Sequence, residues 1–248
     1  NHIMKKSILT VVVIFCISIT SASAQWWSSN KSIKGNGDMV NKSRKTSDYD
    51  KVSLVGFMDV VLVSGTEGNL TIEAESNLQE YITTEVKNGT LKISVEKGVN
   101  ISPSKNNMIK VTVPFEDLEG AHLTGSGDIW TEDKITAKDF SLSVTGSGDL
   151  KLEIEADDIT GNVTGSGDVV LIGNAKSLDC GVTGSGDFDA FKLRAKKVSA
   201  QVSGSGDVMV YAEEELEARV AGSGDIEYKG NPSKENFKTS GSGDISKH

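Results

Sequence analysis

Apolar and polar residues alternate along most of the chain, and the alternation restarts at a nearly constant interval. From residue 125 onward, each unit carries two stretches with a period of two, which is typical of half-buried β-strands. The inward positions of the first stretch form one apolar series: Ile129, Leu150, Val169, Phe188, Val208, Ile226 and Ile245. Those of the second stretch are smaller or branched: Leu142 and Val144, Gly161 and Val163, Cys180 and Val182, Ala200 and Val202, Ala218 and Val220.

A Gly-Ser-Gly-Asp tetrapeptide separates these units and occurs seven times. Its aspartates recur at intervals of 18 to 21 residues: Asp128, Asp149, Asp168, Asp187, Asp207, Asp225 and Asp244. One such unit cannot bury its apolar face alone, but stacked units share a continuous core. The sequence therefore predicts an all-β fold, a parallel β-solenoid with coils of about 19 residues. The alternative is an antiparallel sandwich of hairpins, which would not require identical turns at a fixed interval.

The first half of the chain departs from this repeat. The segments Gly35-Asn36-Gly37-Asp38 and, 21 residues later, Gly56-Phe57-Met58-Asp59 resemble the repeated turn. We therefore expect the first coils to begin near residue 35. Strand patterns continue between Val60 and Pro114 without the tetrapeptide, and Asn88-Gly89 is a type I′ hairpin signal. This insertion is expected to add antiparallel strands that cap or flank the stack.

The N-terminus has the order of a secretory signal peptide. Lys5 and Lys6 precede an apolar run over residues 8–19, and Ala22-Ser23-Ala24 follows it. The run is too short to span a bilayer comfortably, so we expect no transmembrane segment after cleavage. We predict export to the periplasm, the outer cell surface or the medium. The predicted divisions are: 4–24 signal peptide, 25–34 N-terminal tail, 35–124 strand-rich portion with first coils and insertion, and 125–248 repeat solenoid.

Charge and scarce residue types narrow the function classes. The net charge is −9, whereas phosphate backbones require a basic footprint, so neither nucleic acid nor an anionic membrane is an expected partner. Cleavage would remove Cys16 and leave Cys180 without a disulfide partner. Cys180 falls in the inward series and is expected in the core. His122 is the one histidine within the body of the chain and is expected at the surface, which leaves no multi-histidine zinc site.

Three features together carry a family resemblance. They are the repeated Gly-Ser-Gly-Asp, the stretch Gly-Thr-Leu-Lys-Ile-Ser at residues 89–94 and the stretch Gly-Asp-Ile-Glu-Tyr-Lys-Gly-Asn-Pro at residues 224–232. This combination resembles the auto-transporter adhesin head domain family, also called the GIN domain, over nearly all of the predicted mature chain. The resemblance implies a right-handed β-helix like that of pectin lyases, export in Bacteroidetes-type bacteria and a role in cell adhesion. It supplies no catalytic residues.

The repeated turn has two interpretations. Glycine supplies a positive φ without steric cost, and the aspartate can accept a backbone N–H in an Asx-type turn; we favour this structural role. The alternative is calcium, because a column of carboxylates about 4.8 Å apart would be relieved by a divalent cation with oxygen ligands. The known calcium rolls, however, repeat their motif about every nine residues. We expect no other cofactor.

The outward positions supply candidate ligand-binding residues. Trp130 is predicted to face outward, where an indole suits sugar stacking or protein docking, unless the inserted segment covers it. Arg219 is predicted on another outward series, with Glu217 beside it, Gln201 one coil before and Lys238 one coil after. A series of hydroxyl residues precedes the turns: Thr124, Thr145, Thr164, Thr183, Ser203 and Ser240. It either forms a ladder that binds a ligand or merely reflects the preference of threonine for β-strands.

We predict a non-enzymatic binding module for a glycan or a cell-surface protein. Its candidate ligand-binding residues are Trp130, Gln201, Glu217, Arg219 and Lys238. One alternative is a polysaccharide-active, lyase-like enzyme on the same scaffold, in which Arg219 would be the cationic base. The other is a structural scaffold that self-associates into homo-oligomers, because the chain stops part-way through a coil and an open strand edge is a template for pairing.

Overall fold

The computed structural model describes residues 31–105 and 107–248, and the predicted signal peptide lies outside them. The first half forms these elements: β1 (Lys31–Lys34), β2 (Met39–Lys45), β3 (Lys51–Gly56), β4 (Asp59–Ser64), β5 (Asn69–Glu75), a 3-10 helix (Gln79–Tyr81), β6 (Ile82–Lys87), β7 (Thr90–Val95), β8 (Val99–Ser102) and β9 (Lys110–Phe115). The repeat region forms these: β10 (Gly120–Gly125), β11 (Ile129–Thr131), β12 (Ile135–Gly146), β13 (Leu150–Gly165), β14 (Val169–Gly184), β15 (Phe188–Gly204), β16 (Val208–Gly222), β17 (Ile226–Gly230), β18 (Lys234–Gly241) and β19 (Ile245–Lys247).

Each repeat unit stacks on the unit before it, with parallel strands in register apart from irregularities where β15 pairs with β14 and β16. Strands β13, β14 and β15 are 16, 16 and 17 residues long and cover most of a coil. The register joins equivalent positions of the repeat, so that Gly161 pairs with Cys180 and Cys180 pairs with Ala200. The predicted β-solenoid is confirmed, with about seven coils of about 19 residues.

The inward series form the core. From Ile129 to Ile226 the first series is fully buried, and only Ile245, in the last coil, is partly exposed. Stacking about 4.8 Å apart brings side chains of neighbouring coils into direct contact, which explains the small residues of the second series. A Cβ on Gly161 would lie 2.7 Å from the ring of Phe188 and 2.9 Å from a methyl group of Leu142. The glycine therefore makes room for the phenylalanine.

The repeated turn forms a corner that glycine alone can occupy. Gly165 has a φ of +123°, and a Cβ there would lie 2.3 Å from the carbonyl oxygen of Gly146 in the coil below. The N–H groups of Ser166 and Gly167 donate to that same oxygen, at 2.8 and 3.1 Å. A Cβ on Gly167 would in turn lie 2.1 Å from the carbonyl oxygen of Gly148. The two glycines thus allow backbone to pack directly on backbone.

The insertion closes one end of the stack, as expected from its strand pattern. β3 lies between β10 and β7, and β4 lies between β11 and β9, all in parallel pairs. Beyond them, β6 pairs antiparallel with β7, while β5 pairs antiparallel with both β9 and β2. Asn88 and Gly89, with φ values of 51° and 72°, form the predicted hairpin turn between β6 and β7.

The coils do not begin near residue 35, and this expectation was wrong. The first corner is Gly56–Asp59, whose Gly56 carbonyl accepts the N–H of Ser126 at 2.9 Å. The earlier segment, 35–38, instead joins β1, which pairs with β8 in a separate two-stranded sheet, to β2. This segment binds a carboxylate and does not form a corner of a coil, because the Gly37 N–H donates to Glu75 Oε1 at 2.5 Å.

Glu75 is a buried anchor for two loops. Its side chain accepts the N–H of Gly37 and, at 2.8 Å, the N–H of Ser104, although the residue is only 1% exposed. Burial by itself would raise the pKa of Glu75, but hydrogen bonds from Ser104, Gly37 and Asn107 outweigh it and lower the pKa. A carboxylate that is buried with several donors is stabilising only while it is charged.

This anchor predicts a pH dependence of folding. Because the pKa of Glu75 is lowered in the folded state, its contribution to the free energy of unfolding is full above the ordinary value of 4.5. The contribution is lost as the pH falls through the folded-state pKa. We expect Glu75→Gln to destabilise the protein at pH 7 and the difference from wild type to shrink in acid, measured by urea unfolding. The matched control is Glu85→Gln at an exposed position of β6. An equal difference at all pH values would contradict this role.

Candidate functional site

The seven repeat aspartates lie in one column along the solenoid. The N–H of Asp168 donates to Asp149 Oδ1 at 3.0 Å, and the N–H of Asp187 donates to Asp168 Oδ1 at 2.8 Å. The column continues down to Asp59, whose carboxylate accepts the N–H of Asp128 at 3.3 Å. Burial raises the pKa of Asp59 at this base of the column.

The partner of each carboxylate differs from the expected one. We expected an Asx-type turn in which the aspartate accepts an N–H of its own turn; instead it accepts the N–H of the next aspartate, about one coil later in sequence. In-register stacking brings that donor directly to the carboxylate, so each carboxylate from Asp128 to Asp225 faces the peptide N–H of the next aspartate. Among residues 31–105 and 107–248, no three His, Cys, Asp or Glu side chains are grouped so that they could hold a metal ion.

We expect millimolar calcium to leave the melting temperature unchanged to within about a degree or two. A site saturated a hundredfold above its Kd would add about 2.7 kcal/mol, which is several degrees for a chain of this size. The measurement is a thermal melt followed by circular dichroism, with and without calcium. A shift of several degrees that disappears in the double variant Asp168→Asn, Asp187→Asn would instead make the column a calcium site.

A shallow groove runs parallel to the solenoid axis on the strand segment that precedes the corners. Its floor is a buried apolar series over five coils, Phe140, Ile159, Leu178, Val198 and Leu216, and the exposed Glu235 takes this position in the last coil. One wall consists of the residues just before the floor positions: Asp139, Asp158, Ser177, Lys197, Glu215 and Lys234. The other wall consists of the residues just after them: Ser141, Thr160, Asp179, Ser199, Glu217 and Asn236. We call this surface the axial groove.

Two depressions follow each other along the axial groove. One, of about 270 Å³, is lined by residues of three consecutive coils, including Asp179, Ser199 and Glu217. The other, of about 240 Å³, lies on the coils before it and includes Asp139 and Thr160. Because Thr160 pairs with Asp179 in adjacent coils, the two depressions adjoin. Both walls carry hydrogen-bonding side chains at every coil, which a polar ligand lying along the axis could contact.

The candidate ligand-binding residues fall on two different faces. Gln201, Arg219 and Lys238 are register neighbours in one column, in the predicted order. Glu217 forms an ion pair with Arg219 and belongs to a wall of the axial groove. Trp130 lies after the corner instead of before it, paired with Val61 below and Lys151 above. Four of the five residues are therefore neighbours, and the tryptophan is separate from them.

Trp130 is half-buried rather than fully covered. The hydroxyl series from Thr124 to Thr183 is exposed and in register, and Ala221 interrupts it before Ser240. His122 is also half-buried: its Nδ1 lies 3.0 Å from Ser143 Oγ, and burial, with a smaller effect of Lys51, lowers its pKa. Cys180 is in the core, 2% exposed, and burial raises the pKa of its thiol.

The axial groove itself escaped the sequence analysis, although a signal for it exists. Polar residues flank the same apolar position of each unit, as Asp158 and Thr160 flank Ile159. Alternation alone does not distinguish a flat face from a concave one, because the bend that forms the groove depends on backbone direction and not on the identity of the side chains. Aligning the units by their flanking residues would have marked both walls.

Comparisons with known proteins agree with this architecture. A family model described as "Putative auto-transporter adhesin, head GIN domain" matches residues 48–232. A crystal structure of a "putative adhesin" from Bacteroides fragilis is 26% identical, with a TM-score of 0.80, covering 87% of this chain and 100% of that one. A "putative lipid binding protein" from Parabacteroides distasonis is 29% identical, with a TM-score of 0.72, covering 88% and 100%. A "putative adhesin" from the same species is 25% identical, with a TM-score of 0.72 and the same coverage.

The search of curated proteins gave no match. Within the part of the chain that the structure describes, no helix has the length and apolar character needed to cross a membrane.

Proposed function

The chain belongs to the GIN head-domain family of auto-transporter adhesins, and on that basis we propose that it is a non-enzymatic module that binds a glycan in its axial groove. The adhesin family and the solved relatives described as adhesins suggest a binding role at the cell surface. We further propose that the protein is exported through the N-terminal segment 4–24. The glycan and the groove are the specific parts of this proposal.

The observation that carries the proposal is the continuity of the groove walls. Six consecutive coils contribute a residue to each wall, from Asp139 and Ser141 to Lys234 and Asn236. Five steps of about 4.8 Å extend over roughly 24 Å. Hydroxyl, carboxylate, amide and ammonium groups along such a length can bond the hydroxyl groups of a sugar chain, while the concave shape increases contact.

The enzymatic alternative depends on Arg219 as a base. In the structure the Arg219 guanidinium donates to the Glu217 carboxylate, and the two side chains are 57% and 39% exposed. A general base works in reach of the proton it removes, in a site that excludes water. An ion-paired, solvent-exposed guanidinium at the side of a groove is better suited to holding a ligand than to removing its proton.

The test is a block of the axial groove at its middle. Ser199 is exposed on one wall, so Ser199→Trp should fill the groove without disturbing the core. We expect a glycan array probed with the exported form, residues 25–248, to show binding that this variant loses by about tenfold or more, equivalent to about 1.4 kcal/mol. The matched control is Ser185→Trp, an exposed corner serine of the same coil, which should bind as wild type does. Circular dichroism melts verify that both variants fold.

Several outcomes would overturn the proposal. Binding lost in Trp130→Ala but kept in Ser199→Trp would move the site to the face after the corners. Release of unsaturated or reducing sugars that disappears in Arg219→Ala would make the protein an enzyme. Binding to phosphatidylcholine vesicles without any glycan binding would favour lipid binding, the role named for one of the P. distasonis relatives. Binding to a cell-surface protein but to no glycan would leave an adhesin of another specificity.

A further inference from the structure

We propose that the axial groove selects an extended, neutral, linear glycan that lies parallel to the solenoid axis, with about one sugar unit per coil. This inference rests on the proposed glycan binding and specifies its ligand class. It is carried by three properties of the groove: unbroken register, shallow depth and the charge of its walls.

The register makes the groove periodic. The wall residue Asp158 pairs with Ser177, and Ser177 pairs with Lys197, while Thr160 pairs with Asp179 and Asp179 with Ser199 on the opposite wall. Within this segment the pairing continues without a shift from coil to coil at a step of about 4.8 Å, although β15 bulges elsewhere along its length. An extended polysaccharide advances by a similar distance for each pyranose unit. A chain aligned with the axis meets an equivalent pair of wall residues at each sugar, whereas a chain lying across the axis would leave the groove after one or two units.

The shallowness of the groove determines how affinity accumulates. The two depressions have volumes of only about 270 and 240 Å³, and each is shared among several coils. Neither can enclose a terminal sugar from all sides, as a pocket specific for a short epitope would. Each unit of an aligned chain instead adds a few contacts of similar strength, so that affinity should increase with chain length until the groove is full.

The charge of the walls argues against an acidic polysaccharide. Among the described wall residues, carboxylates occur at Asp139, Asp158, Asp179, Glu215 and Glu217, and ammonium groups at Lys197 and Lys234. Glu215 lies within 4.0 Å of both lysines, and together with Glu217 on the opposite wall these four wall charges sum to zero in the upper part of the groove. The lower part keeps an excess of negative charge, because Lys51 and Glu119, which also line the lower depression, offset each other. That charge repels uronate or sulfate groups, while carboxylates and hydroxyls both accept hydrogen bonds from sugar hydroxyls.

The test is a series of oligosaccharides of graded length, titrated calorimetrically. The probes are neutral glucan, mannan, galactan and xylan fragments of two to eight units, with oligogalacturonate fragments as the anionic arm. We expect at least one neutral series to bind, with a Kd that falls by about tenfold or more from the disaccharide to the hexasaccharide, and no further gain beyond about six units. Oligogalacturonates should bind more weakly at low salt than neutral fragments of equal length.

The blocking variant gives this test a second measurement. Ser199 lies in the fourth of the six groove coils, so Ser199→Trp should shift the plateau from about six units to about three. Ser185→Trp should keep it at six. Equal affinity for the disaccharide and the hexasaccharide, or a preference for oligogalacturonate, would overturn this inference and leave glycan binding intact. If no glycan of any length binds, the proposed function and this inference both fail.

Discussion

Replacing Gly165 by alanine is expected to unfold the protein. The position has a φ of +123°, and the added Cβ would lie 2.3 Å from the carbonyl oxygen and 3.2 Å from the nitrogen and carbonyl carbon of Gly146. Backbone atoms held in a parallel ladder cannot move aside as a flexible side chain can. Ordinary overpacking costs about 1–3 kcal/mol, and a 2.3 Å contact with fixed backbone should exceed that range. The strain of the positive φ adds about 1–2 kcal/mol, so the total approaches the roughly 5–15 kcal/mol that keeps most domains folded. The hydrogen bonds of Ser166 and Gly167 to the same oxygen would also be disturbed.

Two other glycines separate these causes. Gly37 has a φ of +83°, but a Cβ added there would have no other atom within 4 Å, so Gly37→Ala isolates backbone strain. Gly181 has an ordinary φ, and its nearest neighbour would be the Asn162 Oδ1 at 3.2 Å, at the end of a side chain that can rotate. We expect Gly181→Ala to melt within a few degrees of wild type, Gly37→Ala somewhat lower and Gly165→Ala not to fold. A Gly165→Ala variant as stable as Gly181→Ala would contradict the close stacking of the corners.

The repeat made the solenoid predictable from the sequence. Each inward position is sampled once per coil, so the series from Ile129 to Ile226 reveals burial more clearly than one strand could. The corner glycines were equally predictable, because identical turn sequences at a constant interval indicate that each turn stacks on the equivalent turn of the next coil. The same logic misled at Gly35 and Gly37, where a similar tetrapeptide lacks the flanking strand register and instead surrounds the Glu75 carboxylate.

Contacts between coils were harder to predict than positions within a coil. The acceptor for the Asp187 N–H is the carboxylate of Asp168, one coil earlier. Local turn chemistry had instead predicted a hydrogen bond within a single turn. The separation of Trp130 from Arg219 follows from their places on opposite sides of a corner, which the sequence contains. Predicting the axial groove would have required the direction of the backbone at Asp158 and Thr160, and the alternation of apolar and polar residues does not encode that direction.

Replacing Cys180 by lysine is the second change expected to prevent folding. Cys180 is 2% exposed and pairs with Gly161 on one side and Ala200 on the other. A lysine there would place an unpaired ammonium group in an apolar core, where burial strongly lowers the pKa of lysine and isolated charge is destabilising by several kcal/mol. That cost is large against the roughly 5–15 kcal/mol that keeps most domains folded.

The smaller variant and an exposed lysine provide the controls for this prediction. Cys180→Ala should be only mildly destabilising, because Ala200 and Ala218 occupy the same inward series without loss of the stack. It should also bind glycan as wild type does, since the side chain faces the core and not the axial groove. Thr183→Lys adds the same charge three residues away at an exposed position and should melt near the wild-type temperature. If Cys180→Lys melts at the wild-type temperature, the column from Leu142 to Ala218 faces solvent, and the solenoid architecture is wrong.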